Sequence, residues 1–270
     1  MNRQHRIETR HGTIAVEEAG AGQQPVVLIH GNSSCQAIFR HQTEGRLAER
    51  YRLISFDLPG HGQSSDAPDP ARSYTMPGYA DAAVETLGAL GVDDAVVFGW
   101  SLGGHIGIEM ISRYPGMKAL MITGTPPVGL DDVAQGFITS PHMHLAGQQD
   151  FTEAEIDDFA RASTGGPFDS FMRESVARTD GRARRLMFES FGGGRGVDQR
   201  RTVSTSPVPL AVVNGADEPF VNLDYVDNVA YANLWEDRCL RLPGLQHAPF
   251  WEAPEVFNPI LERFLRDVVC

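Results

Sequence analysis

The 270-residue sequence predicts an α/β fold built on a mostly parallel β-sheet with helices on both faces. Seven apolar runs of strand length recur along the chain, and helical patterns lie between them. Strands that are apolar on both faces and alternate with helices are typical of a parallel sheet that is covered on both sides. A composition with 41% hydrophobic and 21% charged residues is ordinary for a globular protein.

The predicted strands and helices alternate along most of the chain. The strand runs are TIAVEEA, PVVLIHG, YRLISFD, DAVVFGW, ALMITGT, PLAVVNG and RCLRLPG. We expect helices at about residues 36–50, 77–90, 102–114, 222–235 and 254–268, from the spacing of their apolar residues. Pro115 and Gly116 end the third helix, and the EAP segment before Glu255 starts the last one.

One long segment interrupts this alternation, because residues 126–206 contain no clear buried strand. They read as short amphipathic helices, such as TEAEIDDFARAS and FDSFMRESVAR, separated by the loops TGGP and FGGGRG. A loop of that length without secondary structure is uncommon in a compact domain. We therefore expect a helical insertion at 126–206, and a core domain formed by residues 1–125 and 207–270.

Composition narrows the expected partners and location. A net charge of -12 argues against nucleic acid, since phosphate binding needs clustered Lys and Arg. Cys35, Cys239 and Cys270 are widely spaced, form no C-x-x-C pair and are expected to be free thiols. The N-terminus lacks the apolar core of a signal peptide, and no stretch approaches the ~18 to 20 apolar residues of a membrane span. We expect a cytoplasmic protein without a membrane partner, and the oligomeric state stays open.

The stretch GWSLGG places one serine, Ser101, between Gly99 and Gly103, where a buried strand turns into a helix. The short pattern G-x-S-x-G alone fits a tight turn of small residues equally well. A catalytic elbow would strain the serine backbone, project its hydroxyl clear of the sheet and require neighbours without bulk. Ser101 is therefore a candidate nucleophile.

Other unusual residues follow the predicted strands, at the sheet edge where parallel sheets bind ligands. Residues 31–33 follow PVVLIH, DLPGHGQS follows YRLISF, and GADEP follows PLAVVN. His247 is the one histidine of nine that follows the last strand. The chain thus presents the order serine, acid, histidine, with Asp217 and Glu218 as adjacent candidates for the acid.

The motifs HGN, DLPGHGQS, GWSLGG, GADEP and QHAPFWEAP, in this order and spacing, resemble the α/β-hydrolase fold family along nearly the whole chain. The resemblance implies a mostly parallel eight-stranded sheet with a helical cap inserted after strand 6. It implies Ser101 as nucleophile and His247 as the base that takes its proton. The family's acid usually stands third after the glycine that closes its strand, which implies Glu218 when counted from Gly215, with Asp217 as the alternative acid.

The same resemblance implies an oxyanion hole made of backbone N–H groups. One belongs to the residue after the nucleophile, Leu102, and the second matches Asn32. The Asn32 side chain either reaches the substrate or shapes the turn, and both readings stay open. Asp57 and Ser64 are expected to fix the loop beside the elbow.

No cofactor motif is complete in this sequence. The GGGRG stretch lacks the G-K-[ST] ending of a phosphate-binding loop, and DLPGHGQS lacks the third glycine of a dinucleotide site. His142 and His144 stand two apart, as in some metal sites, but the aspartate and further histidine that metal-dependent lactonases add directly afterwards are missing. We expect no metal and no cofactor.

A serine at the elbow excludes the dehalogenases and epoxide hydrolases of this family, which carry an aspartate there. The stretches HGNSS, GWSLGGHIGIEM, DEPFVNLDY and LQHAPFWEAP resemble the metal-independent N-acylhomoserine lactonases of the α/β-hydrolase type. These enzymes open the lactone ring of bacterial quorum-sensing signals. The resemblance implies an acyl lactone or ester as the small-molecule partner. One departure is Phe159, where a tyrosine that hydrogen-bonds the substrate is expected.

An apolar slot above the serine would suit an acyl chain. The candidate substrate-binding residues are Gly31, Trp100, Met143, Phe159, Phe220 and Trp251. Further apolar residues expected on the inner surface of the insertion are Phe137, Phe168, Phe171 and Met172. Two alternatives stay open: a generic carboxylesterase, which would differ only in the cap, and a non-catalytic member of the fold that binds a ligand without turnover.

Overall fold

The strands of the computed structural model, which describes residues 2–269, form one eight-stranded sheet. In chain order they are β1 Arg3–Thr9, β2 Gly12–Ala19, β3 Pro25–Ile29, β4 Arg52–Phe56, β5 Ala95–Trp100, β6 Met117–Thr123, β7 Leu210–Gly215 and β8 Leu240–Leu242. The order across the sheet is β1-β2-β4-β3-β5-β6-β7-β8. The β1–β2 and β2–β4 pairs are antiparallel and the other neighbours are parallel. The predicted α/β fold is confirmed.

Helices connect the strands and cover the sheet. They are α1 Arg40–Thr43, α2 Leu47–Arg50, α3 Pro70–Ser73, α4 Met76–Ala89, α5 Leu102–Met110, α6 Glu153–Thr164, α7 Ser170–Arg178, α8 Gly181–Gly192, α9 Gln199–Thr205, α10 Leu223–Asp227, α11 Pro249–Glu252 and α12 Pro254–Val269. Short 3₁₀ turns lie at Gln36–Phe39, Val133–Gln135, Met143–Gly147 and Trp235–Asp237.

Successive residues of the central strands pack into cores on opposite faces of the sheet. On β3, Val27 and Ile29 belong to the core that also contains Ile106 of α5. Their neighbours Val26 and Leu28 belong to the opposite core, together with residues of α12. All four strand residues are fully buried. This two-sided burial explains why the strands are continuous apolar runs rather than alternating patterns.

The segment between β6 and β7 is helical, as predicted, and contains α6 to α9. Helix α6 starts at a capping box, in which Thr152 accepts from the backbone N–H of Glu155 and the Glu155 carboxylate accepts from the Thr152 N–H. The buried face of α6 carries Ile156, Phe159 and Ala160, at the spacing of an amphipathic helix. The insertion therefore turns an apolar face inwards.

Three sequence expectations about the elements were wrong. Strand β1 was missed because RQHRIET is an edge strand that pairs with β2 alone, so it carries no apolar run. The helix expected at 36–50 is broken into a 3₁₀ turn, α1 and α2, with Gly45 in the break. The helix expected at 222–235 ends at Asp227, because the chain beyond it hydrogen-bonds to other elements: Ala232 donates to Val203.

Two smaller findings concern cysteines and membrane spans. Cys35 and Cys239 are free, and Cys270 lies outside the described residues. Between residues 2 and 269, no helix has the length and apolar content needed to cross a membrane.

Candidate active site

Ser101 forms the elbow between β5 and α5, with a φ of +55° and a ψ of -119°. Such backbone strain costs about 1–3 kcal/mol and persists when its surroundings hold it. Here the Ser101 N–H donates to the Thr123 carbonyl at 2.8 Å, and the Thr125 hydroxyl donates to the Ser101 carbonyl at 2.8 Å. A Cβ on Gly99 would overlap the Gly103 carbonyl, so the close turn needs glycine there.

His247 follows β8 and is paired with Glu218, which follows β7. Its Nδ1 lies 2.8 Å from each carboxylate oxygen of Glu218, and the two side chains are 6% and 0% exposed. The Phe220 N–H also donates to Glu218 Oε1, at 3.0 Å. A carboxylate at Nδ1 holds the proton on that nitrogen and leaves Nε2 as the acceptor. Asp217 is exposed, and of the two adjacent carboxylates it is Glu218 that the structure brings to His247.

The backbone on both sides of His247 is fixed by two further side chains. The Trp100 indole N–H donates to the His247 carbonyl at 2.9 Å. The Glu252 carboxylate accepts from the N–H groups of Gln246 at 2.9 Å and of Ala248 at 3.1 Å. Burial raises the pKa of Glu252. These bonds hold the imidazole position from the loop as well as from the carboxylate.

Ser101 and His247 line one cavity of about 410 Å³ between the sheet edge and the inserted helices. Most sequence-predicted site residues line it too: Asn32, Trp100, Leu102, Met143, Phe159 and Phe220. Its apolar wall also includes Phe137, Met187, Phe188 and Phe191. The cavity therefore offers a mainly apolar space that ends at a serine and a histidine.

Asn32 connects the loop after β3 to the inserted segment. Its side-chain Nδ2 donates to the Ala146 carbonyl at 2.9 Å, and its Oδ1 accepts from the Ser33 hydroxyl at 3.2 Å. The Asn32 side chain therefore ties the loop after β3 to the 3₁₀ turn at Met143–Gly147, and the residue also lines the cavity. Leu102 is the first residue of α5, where helical N–H groups have no partner within the helix.

Two predicted substrate contacts do not line the cavity. Gly31 lies behind the elbow, where an added Cβ would sit 3.1 Å from the Ser101 Cβ. Trp251 is buried elsewhere: its ring packs 4.6 Å from the Arg40 guanidinium, and its indole N–H donates to the Pro167 carbonyl at 2.8 Å. The expectation for Trp251 is corrected, because the turn of α11 carries its side chain away from His247 into the core.

The apolar residues expected on the inner surface of the insertion occupy different places in the structure. Phe137 lines the cavity. Phe168 is 37% exposed beneath Arg161, and Phe171 packs against Trp251. Met172 is buried in the core rather than in the cavity wall. Apolar composition alone therefore did not identify the residues that face the serine.

Asp57 and Ser64 fix the loop beside the elbow, as predicted. The Asp57 carboxylate accepts from the N–H groups of Gln36 and Gln63, both at 2.7 Å. The Ser64 hydroxyl donates to the Asp57 carbonyl at 2.6 Å. Burial raises the pKa of Asp57 to about 6.

Sequence reasoning missed His105, which lines the cavity one helical turn after Ser101. Its Nδ1 lies 2.7 Å from Gln199 Oε1, and its ring lies 4.9 Å from the Phe191 ring. The signal was available, because residues four apart share one face of a helix. Ser163, on α6, also lines the cavity and was also missed.

His142 and His144, which stand two apart in the sequence, are not part of a metal cluster in the structure. Within residues 2–269, no group of three or more His, Cys, Asp and Glu side chains could hold a metal ion.

Comparison with known proteins places this geometry among hydrolases. A model of the alpha/beta hydrolase family matches residues 26–260. The chain is 55% identical to the structure of the N-acyl homoserine lactonase AidH complexed with N-butanoyl homoserine, over 98% of this chain and 97% of that one, with a TM-score of 0.97. A serine-to-glycine variant of AidH has been solved with N-hexanoyl homoserine lactone, and a glutamate-to-glycine variant with N-hexanoyl homoserine.

More distant relatives include an esterase and a receptor. The chain is 34% identical to a pimeloyl-acyl-carrier-protein methyl ester esterase of Nitrosospira multiformis, over 94% of this chain and 98% of the relative. It is 27% identical to the karrikin insensitive 2 receptor IA of Petunia hybrida, over 93% of this chain and 94% of the receptor.

Proposed function

The chain belongs to the alpha/beta hydrolase family and is a hydrolase of that fold, and on this premise we propose that it opens the lactone ring of N-acyl homoserine lactones. The catalytic groups would be Ser101, His247 and Glu218. The observation that carries the proposal is the pairing of His247 with Glu218 in the cavity where Ser101 stands at a strained elbow. The 55% identity to AidH supports the substrate class.

In the first step, the Ser101 hydroxyl attacks the lactone carbonyl while His247 Nε2 accepts its proton. Glu218 at Nδ1 stabilises the imidazolium that forms. The oxyanion accepts hydrogen bonds from the backbone N–H groups of Leu102 and Asn32. Donors of this kind contribute roughly 2.7–4 kcal/mol each to the transition state.

In the second step, the carbonyl reforms and the ring C–O bond breaks. The His247 imidazolium gives its proton to the departing ring oxygen, which leaves an acyl-enzyme with a free homoserine hydroxyl. His247 then takes a proton from water as the water oxygen attacks the ester carbonyl, and the imidazolium gives that proton to the Ser101 oxygen as the acyl-enzyme C–O bond breaks. The product is N-acyl homoserine, with its amide bond intact because the nucleophile reacts at the lactone carbonyl.

The inserted segment, residues 126–206, would act as a cap that supplies the acyl-chain site. Phe137, Met187 and Phe191 form its apolar wall in the cavity. Phe188 lines the same cavity and is 45% exposed, so the wall reaches the protein surface. This arrangement suits an apolar chain that leads away from the serine.

Hydrolysis of an open-chain carboxylic ester is the second candidate, favoured by the 34% identity to a methyl ester esterase. The catalytic residues would be the same, and only the substrate preference would differ. Ligand binding without turnover is the third candidate, because the chain is also similar to a plant receptor. Any hydrolysis that depends on Ser101 excludes the third.

The discriminating experiment compares N-hexanoyl homoserine lactone with the methyl ester of N-hexanoyl alanine, which keeps the same acylamino skeleton without the ring. We expect kcat/KM to favour the lactone by at least ~10-fold, a ratio within the range that shape differences in a pocket produce. A ratio of one or a preference for the open-chain ester would favour the esterase.

A further inference from the structure

We infer that His105 is a specificity-determining residue that favours acyl chains carrying a hydrogen-bond donor, with the hydroxyl of a 3-hydroxyacyl chain as the fitting group. The inference rests on the proposed function, because it places the acyl chain in the cavity next to Ser101.

His105 stands in the apolar part of the cavity. It follows Ser101 by four residues on α5, which is about one helical turn or ~6 Å along the helix. The residue is 6% exposed and lines the cavity. Its ring centroid lies 4.9 Å from that of Phe191 and 6.2 Å from that of Phe137. A polar group is thus set between two aromatic walls.

The tautomer of His105 is fixed by Gln199, the first residue of α9. Nδ1 lies 2.7 Å from Gln199 Oε1, and an amide oxygen can only accept, so Nδ1 carries the proton. Burial lowers the pKa of His105 to about 4, which keeps the ring neutral near pH 7. Nε2 therefore presents a lone pair, and it has no hydrogen-bond partner among residues 2–269.

The other polar side chains of the cavity already have roles. Asn32 donates to Ala146, and the Ser163 hydroxyl donates to the Phe159 carbonyl at 2.7 Å. Ser101 and His247 are assigned to the reaction. His105 Nε2 is the acceptor in the cavity wall that is left without a protein partner or a role in the reaction. A ligand donor at this position would form a hydrogen bond that no side chain of the cavity makes.

The reach of the substrate matches the position of His105. In an N-acyl homoserine lactone, four atoms separate the attacked carbonyl carbon from C3 of the acyl chain. That spacer spans on the order of one helical turn, and Ser101 and His105, four residues apart, are separated by ~6 Å along the helix. The amide N–H is closer to the attacked carbon, so the group that reaches the aromatic walls is on the chain.

The test measures kcat/KM for hexanoyl, 3-oxohexanoyl and both 3-hydroxyhexanoyl enantiomers of homoserine lactone. We expect one hydroxylated enantiomer to exceed the unsubstituted chain by at least ~10-fold, as sites built to hydrogen-bond a substrate group discriminate strongly. The 3-oxo chain, which has no donor, should show no such gain. A wild-type ratio of one for both enantiomers would overturn the inference without recourse to any variant.

His105→Phe removes the acceptor and keeps a ring between the aromatic walls. The hydroxyl preference should fall to about one in this variant, whereas Phe191→Leu, which changes the wall without changing a polar atom, should keep it. If His105→Phe lowers the rates of hydroxylated and unsubstituted chains by the same factor, His105 does not recognise the acyl-chain hydroxyl and the inference fails.

The same chains attached to alanine methyl ester separate this inference from the proposed function. If the lactones are not hydrolysed but the esters show the hydroxyl preference and lose it in His105→Phe, the lactonase proposal fails and the His105 inference stands. If the lactones are hydrolysed without any preference for the hydroxylated chain, the His105 inference fails and the lactonase proposal stands.

Discussion

Nδ1 of His247 lies 2.8 Å from both carboxylate oxygens of Glu218, and both side chains are buried. The neighbouring carboxylate, Asp217, is exposed. A two-oxygen contact restrains the rotation of the imidazole as well as its tautomer, because the ring N–H points between the two acceptors. His247 also lines the cavity that contains Ser101.

The first prediction follows from this pair. Glu218→Gln should lower kcat by roughly 10⁴-fold, since an amide at this position can stabilise the wrong tautomer of the histidine. Asp217→Asn is the matched control and should change kcat by less than ~3-fold, because an exposed side chain away from such features has small effects. The measurement is kcat of the two variants and of the wild type, from steady-state kinetics. Equal losses, or a larger loss in Asp217→Asn, would contradict the assignment of the acid.

The second prediction concerns the strained backbone of Ser101, the proposed nucleophile. Ser101→Ala should lower kcat on the order of 10⁶-fold, the scale found when a triad serine is removed. Ser101→Gly should lose the same activity and gain stability, about 1 kcal/mol, because glycine adopts a φ of +55° without strain. Denaturant unfolding compares the two variants. A Ser101→Gly protein no more stable than Ser101→Ala would show that the elbow stores no strain.

The third prediction concerns acid stability. Burial lowers the pKa values of His30 and His105 to about 4 and that of His61 to about 3. The unfolded chain titrates near 6.5, so each histidine contributes stability that is present above pH ~6.5 and is lost as the pH falls toward the folded pKa. Each contributes a slope of up to ~1.4 kcal/mol per pH unit in that window. Burial raises the pKa of Asp57 to about 6. Its contribution to stability therefore changes with pH in the opposite direction and offsets the contribution of one histidine.

The measurement is the pH dependence of the free energy of unfolding between pH 7 and 4.5. His61→Phe should flatten the slope by about one proton, because it removes one of the buried titrating groups. His144→Gln, at an exposed position, is the control and should leave the slope unchanged. An unaltered slope in His61→Phe would mean that His61 does not titrate on unfolding in this window.

The fourth prediction concerns Arg184, a buried cation on α8. Its guanidinium donates to the carbonyls of Gln148 and Gln149 at 2.8 Å and to the Ser33 hydroxyl at 3.3 Å, and it lies 4.1 Å from the Phe151 ring centroid. Burial lowers its pKa to about 10. Because these carbonyls would lose their donor, Arg184→Met should destabilise the protein by at least ~2 kcal/mol.

The matched control for that variant is Arg185→Met. Arg185 is partly exposed and pairs with Glu189 at the surface, so its loss should cost less than ~0.5 kcal/mol. Hydrogen exchange should also rise in residues 148–184 of the Arg184 variant alone. Similar stability in the two variants would show that Arg184 does not hold the inserted helices on the loop after β3.

Sequence reasoning identified those candidate residues whose position is fixed by local backbone chemistry. Ser101 is recognisable because glycines on both sides permit the elbow, and His247 because it follows the last strand. Glu218 needed the family's spacing from Gly215, since two adjacent carboxylates look alike until burial separates them.

The sequence could not supply facts that depend on packing between distant segments. Trp251 follows His247 closely in sequence, yet α11 turns its side chain toward Arg40. His105 carries no motif: its spacing from Ser101 predicts a shared helix face, but only the structure shows that Phe137 and Phe191 lie against its ring. Strand β1 was missed because an edge strand with a solvated face needs no apolar run.

The fifth prediction concerns metal removal. The proposed steps use the Ser101 hydroxyl, the His247 imidazole and backbone N–H groups, so prolonged dialysis against EDTA should leave kcat/KM unchanged. The measurement is the rate of ring opening before and after dialysis, and again after Zn²⁺ is added back. Loss of activity that Zn²⁺ restores would contradict a metal-independent serine mechanism.

Product identity tests the central claim most directly. N-Hexanoyl homoserine lactone is incubated with the wild-type protein and with Ser101→Ala, and the products are identified by mass spectrometry before and after acidification. We predict N-hexanoyl homoserine, the lactone plus one water, from the wild type alone, and re-formation of the lactone in acid. Release of free hexanoic acid would show amide cleavage, and ring opening at equal rates by both proteins would show that Ser101 is not the nucleophile; either result would contradict the account.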